Sequence, residues 1–168
     1  MSFKETVARI YREHAAHYKG APVPRAELIE SATADLLIEV RAGRLTIDSE
    51  SAIRAALMQA DESDGRAADR IIARAARGEV PLSESDLDVI VTLGKGMRKP
   101  WGAVTAEDID AMNSLRFENM RKTREAYSTF NADVLAIRDL LKEHGTFGAA
   151  YAAGGFPPAD VKFEGAAA

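Results

Sequence analysis

Between Thr105 and Gly145 the sequence has neither proline nor glycine, an uninterrupted run of about 39 residues. Thr105 with Asp108 supplies a capping pair at its start. A helix of that length would extend for about 60 Å, longer than a compact domain of this size is wide. Within it Met120, Thr123, Tyr127, Phe130, Val134, Ile137 and Leu141 alternate by three and four, the heptad pattern of a helix lying against a partner. The spacing predicts one long helix over about 105–143, with coiled-coil packing on the earlier helices or on a second chain. The seam Met120, Tyr127, Phe130, Val134, Ile137 and Leu141 is the predicted homodimer interface, because so large an apolar patch is not left exposed on a soluble monomer.

The chain ahead of that run reads as a bundle of short helices over residues 1–93. Ser2 and Glu5 form a capping box, and Phe3, Val7, Ile10, Tyr11, His14 and Tyr18 recur at helical spacing up to Gly20. After Pro22 and Pro24, residues Leu28, Ile29, Ala32, Leu36, Leu37 and Val40 form an apolar stripe that stops at Gly43. A third helix fits Ser49 or Ser51 as cap with Ile53, Ala56 and Leu57 inward. Asp61-Glu62-Ser63-Asp64-Gly65 then reads as a polar turn, and a fourth helix runs from Arg66 to Arg77. Ser83 to Leu93 carries two signals: Ser83 with Asp86 favours helix, whereas Val89-Ile90-Val91-Thr92 is a β-branched run. Helix is the reading taken.

A faint echo relates Ala34-Asp35, Gly43 and Ser49-Glu50-Ser51 to Ala68-Asp69, Gly78 and Ser83-Glu84-Ser85, two similar helix-then-turn units rather than a repeat array. Residues 94–104 form a basic, glycine-rich connector holding the only tryptophan, Trp101, which is expected to be at least half buried. The long helix occupies 105–145, and 146–168 is a short helix with a flexible tail. The fold class is therefore all-α.

Composition removes several functions. The absence of cysteine excludes disulfides, thiol nucleophiles, Cys-ligated zinc and iron–sulfur clusters. No apolar run is long enough to cross a bilayer and no signal-peptide pattern opens the chain, so a cytoplasmic protein without membrane contact is expected. His14 and His17 lie three apart on a helix beside Glu13, but without a third ligand they form a helix face rather than a metal site. Gly94-Lys95-Gly96 lacks the spacing of a phosphate loop. No nucleophile–base pair stands out, so neither a catalytic role nor a cofactor or metal is predicted.

The sharpest chemical feature is a row of arginines. Arg66, Arg70, Arg74 and Arg77 step by four, four and three and share one helix face, and Lys95, Arg98 and Lys99 follow in the connector. Such a row can track DNA phosphates, and these seven residues are the candidate nucleic-acid site. Although the chain is acidic overall, with 22 Lys or Arg against 26 Asp or Glu, residues 95–124 hold seven bases and four acids. Residues 27–64, with nine acids and three arginines, are an alternative destination for the same guanidiniums.

Two resemblances add to this reading. Leu140 to Thr146, Ala149-Ala150, Gly154, Phe156 and Val161 resemble a helix-turn-helix segment, departing from it at Gly155 and Pro157-Pro158. Val91 to Gly102, with Thr105 to Ile109 and Asn119, resembles uncharacterised small helical proteins of actinobacterial phages. That resemblance implies a phage accessory role and no activity. The function expected is thus a non-enzymatic accessory or regulatory protein that binds DNA or a host protein. The alternative is a structural assembly component, such as a phage connector or packaging adaptor, forming an oligomer through the long helix.

Overall fold

The computed structural model describes residues 2–77, 82–111 and 137–154, without the side chains of Arg77 and Lys95. Helix α1 (Phe3–His17) starts at the expected capping box: the Ser2 N–H donates to Glu5 Oε2 at 2.6 Å, and the Glu5 N–H donates back to Ser2 Oγ at 3.3 Å. Its inward face is Val7, Ile10, Tyr11 and Ala15. The chain reverses through Lys19 and Gly20, with φ of 51° and 86°. A side chain at Gly20 would meet Ala103 at 3.2 Å, so both the left-handed backbone and the close approach favour glycine there. Strand β1 (Val23–Pro24) leads into α2 (Arg25–Arg41), which buries Leu28, Ile29, Ala32 and Leu36 and ends before Gly43, at φ 72°.

Helix α3 (Glu50–Arg77) corrects the expected break at Asp61–Gly65, because its 28 residues are one helix. The reason lies in the periodicity. Ile53, Leu57, Asp61, Asp64, Ala68, Ile71 and Ala75 are all buried and follow one another by three or four, so the two aspartates occupy the inward stripe rather than a solvent turn. Their carboxylates have partners there, described below.

The all-α expectation holds for most of the chain but misses a small sheet. Ser83 to Leu93 realises both of its signals in turn. The helical turn α4 (Glu84–Leu87) forms where the Ser83 N–H meets Asp86 Oδ2 at 2.8 Å, and strand β2 (Ile90–Thr92) follows. Strand β3 (Met97–Pro100) comes from the stretch expected to be a connector. The sheet order is β1-β3-β2, antiparallel throughout, with Val23 opposite Arg98, Pro24 opposite Met97 and Val91 opposite Lys99. Proline, which lacks an N–H, is tolerated in β1 because that strand is at the edge. The central strand, drawn from beyond the expected 93/94 boundary, pairs with two strands from before it and so ties the chain's start to its middle.

Two apolar cores result. One joins α1, α2 and the first half of α3 around Tyr11, Leu28, Leu36, Ile53, Leu57 and Ile90. The other joins the second half of α3 to Val91, Trp101, Ile109, Ile137, Leu141 and Phe147. Trp101 is 0% exposed, as its glycine-flanked position suggested, and stacks on Phe147 with ring centroids 4.6 Å apart. Phe147 opens helix α5 (Phe147–Ala152), capped by Thr146, whose hydroxyl accepts from the Ala149 N–H at 3.1 Å.

Helix α5 approaches the Trp101 turn so closely that a Cβ on Gly148 would lie 2.7 Å from the Gly102 carbonyl oxygen. Gly148→Ala is therefore expected to cost about 1–3 kcal/mol in urea unfolding, since backbone must move to admit the methyl. Ala at the neighbouring exposed position 149 already shows that the helix itself accepts alanine.

The expected long helix over 105–143 does not survive one contact. Arg138 Nε lies 2.5 Å from Asp110 Oδ1, although a straight helix would hold residues 28 positions apart at about 42 Å. Residues 106–111 and 137–144 are each helical, but they lie side by side. Ile137 and Leu141, expected at a dimer interface, are 2% and 1% exposed in the second core. Their part of the seam is internal, satisfied by Ile109 and Trp101 rather than by another chain. Met120, Tyr127, Phe130 and Val134 lie outside the described residues. Among the described residues, no helix is long and apolar enough to cross a membrane.

Candidate functional site

The middle of α3 is where the charges converge. Asp61, 5% exposed, accepts from the Tyr11 hydroxyl on Oδ1 at 2.5 Å. The Arg98 guanidinium forks onto the same carboxylate, Nε to Oδ1 at 2.6 Å and Nη2 to Oδ2 at 3.0 Å. Such bidentate geometry gives charge-assisted bonds in fixed directions. Arg25, at the start of α2, brings Nε to 3.0 Å from Oδ2. Its N–H is not aimed at that oxygen, however, and the atom has no hydrogen-bond partner.

One turn along α3, Asp64 accepts from Arg12 through Oδ2 and Oδ1 at 3.0 and 2.7 Å, and Oδ2 also takes the Ile90 N–H at 3.0 Å. Two aspartates therefore link α1, α2, α3, β2 and β3.

Electrostatics follow from this arrangement. Burial alone would raise the Asp61 carboxyl, but the Arg98 fork, the Tyr11 hydroxyl and Arg25 outweigh it and hold the group below the ordinary carboxylate range. Burial and the bond to Asp61 push the Tyr11 hydroxyl well above the usual phenol range, so it remains a donor at all working pH. Burial would lower Arg98, yet Asp61 more than compensates and its guanidinium is held more firmly protonated than usual.

The bases proposed for nucleic acid separate into two groups. Arg98 and Lys99 are buried in β3: Arg98 is held by Asp61, and Lys99 Nζ by Asp108 Oδ2 at 2.6 Å. Neither is available to DNA, which corrects their assignment. Arg74 reaches Asp86 at 2.9 Å. Arg66 and Arg70 are exposed and have no ion pair among the described residues. The Arg77 and Lys95 side chains lie outside the described set. His14 Nε2 sits 2.7 Å from Asp35 on α2, and His17 is exposed. Among the described residues, no three His, Asp or Glu side chains are grouped to hold a metal ion. Of the helix-turn-helix resemblance, the helix before Gly145 and the short α5 are present, but Phe147 and Ala150 face the Trp101 core. The segment that would read DNA lies beyond the described residues.

Arg66 stands at the mouth of two recesses on either side of α3. The first, of about 340 Å³, lies between α1 and α3, with Val7, Ala8, Ala56 and Ala60 as an apolar floor and Lys4, Arg12 and Arg66 at its rim. The second, of about 410 Å³, is lined by Arg25, Asp61, Glu62, Gly65, Arg66, Asp69, Thr92 and Arg98. Tyr11, Arg12, Arg25, Asp61 and Asp64 were not singled out by sequence reasoning. The signal that finds the aspartates is the unbroken three-and-four stripe from Ile53 to Ala75. No protein-family model, curated protein or solved structure matches the chain.

Proposed function

We propose that this chain is a non-enzymatic accessory or regulatory protein, of the phage type, that binds an acidic segment of a protein partner rather than DNA. The observation that supports this reading is the position of Arg66. It is exposed, without an ion pair among the described residues, and shared by two recesses, one of which has an apolar floor. Two exposed cations, Lys4 and Arg66, beside that apolar floor fit a mixed acidic and apolar peptide. A phosphate backbone needs a continuous basic track.

The cations left over support the same choice. Seven phosphate contacts would give log affinity a slope of about −6 against log salt, whereas Arg66 and Arg70, the two of the seven that are exposed and without an ion pair among the described residues, give about −2. Binding of a labelled ten-residue Glu/Leu peptide and of duplex DNA should therefore diverge between about 50 and 200 mM salt, the range over which phosphate contacts weaken most visibly. The peptide is retained, DNA is lost, and R66E/R70E abolishes peptide binding while leaving the fold intact. A DNA slope near −6 would overturn the reading.

A further inference from the structure

We infer that the cleft between the start of α2, α3 and the sheet is a carboxylate-binding site with Arg25 as its principal donor. Asp61 cannot use Arg25 fully. Its Oδ1 already accepts from Tyr11 and Arg98, and its Oδ2 from Arg98. Arg25 Nε is buried 3.0 Å from an oxygen it does not point at, an ion pair without a hydrogen bond. Among the described residues, no other ion pair or hydrogen bond holds this guanidinium. The Arg25 side chain is nevertheless 35% exposed and lines the cleft, so an incoming oxygen on its open side can supply the directed hydrogen bond that Asp61 does not.

The rest of the cleft fixes the ligand class. Arg66 stands on the same wall, and the Thr92 hydroxyl faces Gly65, where even a Cβ would sit 3.6 Å from its oxygen. The absence of a side chain at Gly65 keeps that space open. Arg25, Arg66 and Arg98 are opposed by Asp61, Glu62 and Asp69, so the lining is neutral. A phosphate dianion would add unbalanced charge beside Glu62 and Asp69. A carboxylate adds one charge and presents two coplanar acceptors to the planar guanidinium fork. With about 410 Å³, the cleft has room for more than the carboxylate itself. The carboxylate could come from a small free acid or from a Glu, Asp or C-terminus of a protein. Only the second source rests on the function proposed above.

The test is the Arg25 Nε–Hε resonance of the uniformly ¹⁵N-labelled chain, titrated with sodium acetate against sodium chloride at matched ionic strength. We expect a saturable shift with acetate in the millimolar range, as suits a single ion pair, none with chloride, and a weaker response to inorganic phosphate. R25K keeps the charge but loses the fork and should weaken acetate binding by about tenfold. R66Q, at an exposed position, should weaken it severalfold without touching the fold. A rise in Tm with acetate over matched chloride, absent in R25K, is the second readout. An unmoved resonance at about 100 mM acetate, far above a millimolar dissociation constant, overturns the site, as does tighter binding of phosphate. Acetate binding without Glu/Leu peptide binding keeps the site and assigns it to a free acid. Peptide binding without acetate binding keeps the proposed function and removes the site.

Discussion

Asp61→Ala is expected to destabilise the protein by about 3–5 kcal/mol, the range seen when one partner of a buried ion pair is removed. Arg98, whose side chain is 8% exposed, would be left as an uncompensated charge in the central strand, and the Tyr11 hydroxyl would lose its acceptor. Since whole domains are stable by only about 5–15 kcal/mol, the variant should sit near the edge of folding in urea titration.

The pH dependence follows with a definite sign. Asp61 has its carboxyl lowered in the folded state below its ordinary value of 3.8. Its contribution is therefore complete above that value and is lost as pH falls through the lowered folded value. The wild type should lose stability below pH 3.8 in a way that Asp61→Asn, which has no carboxyl at this position, does not reproduce. A loss under about 1 kcal/mol for Asp61→Ala would mean that the network is solvated.

Trp101→Ala should cost a similar amount, about 3–5 kcal/mol, because it empties the centre of the second core and leaves the stacked Phe147 ring without its partner. Trp101→Phe separates two contributions. It leaves a smaller cavity and also removes an indole N–H that is buried without an acceptor, so it should cost clearly less than the loss of ring volume alone implies. Urea unfolding of both variants checks this, and equal losses would show that the indole N–H is satisfied.

Local signals in the sequence specify some elements, and distant pairings specify the rest. Caps and apolar stripes gave α1 and α2 directly, because Ser2 with Glu5 and the spacing from Leu28 to Leu36 are local signals. Trp101 was legible for a similar reason, since a lone large aromatic among glycines must find a core.

Asp61 and Asp64 were misread as a turn because polarity was weighed ahead of periodicity, and their partners Tyr11, Arg12 and Arg98 lie 50, 52 and 37 residues away. No local pattern encodes such pairings. The same distance explains Arg98 and Lys99, which in sequence are a basic connector and in space are the buried centre of a sheet. The run from Thr105 to Gly145 lacked helix breakers, but the absence of proline and glycine does not forbid the chain from turning back. Asp110 and Arg138, 28 residues apart in that run, are in contact.

The basic residues divide into those that hold the fold together and those left for a partner. Urea unfolding of two double variants, R66Q/R70Q and R98Q/K99Q, tests that division most directly. The first pair is exposed and unpaired among the described residues, and its replacement should leave stability within about 0.5 kcal/mol of wild type. The second is buried against Asp61 and Asp108, and its replacement should remove at least about 3 kcal/mol. Equal losses from the two variants, or none from the second, would show that the basic residues are not so divided.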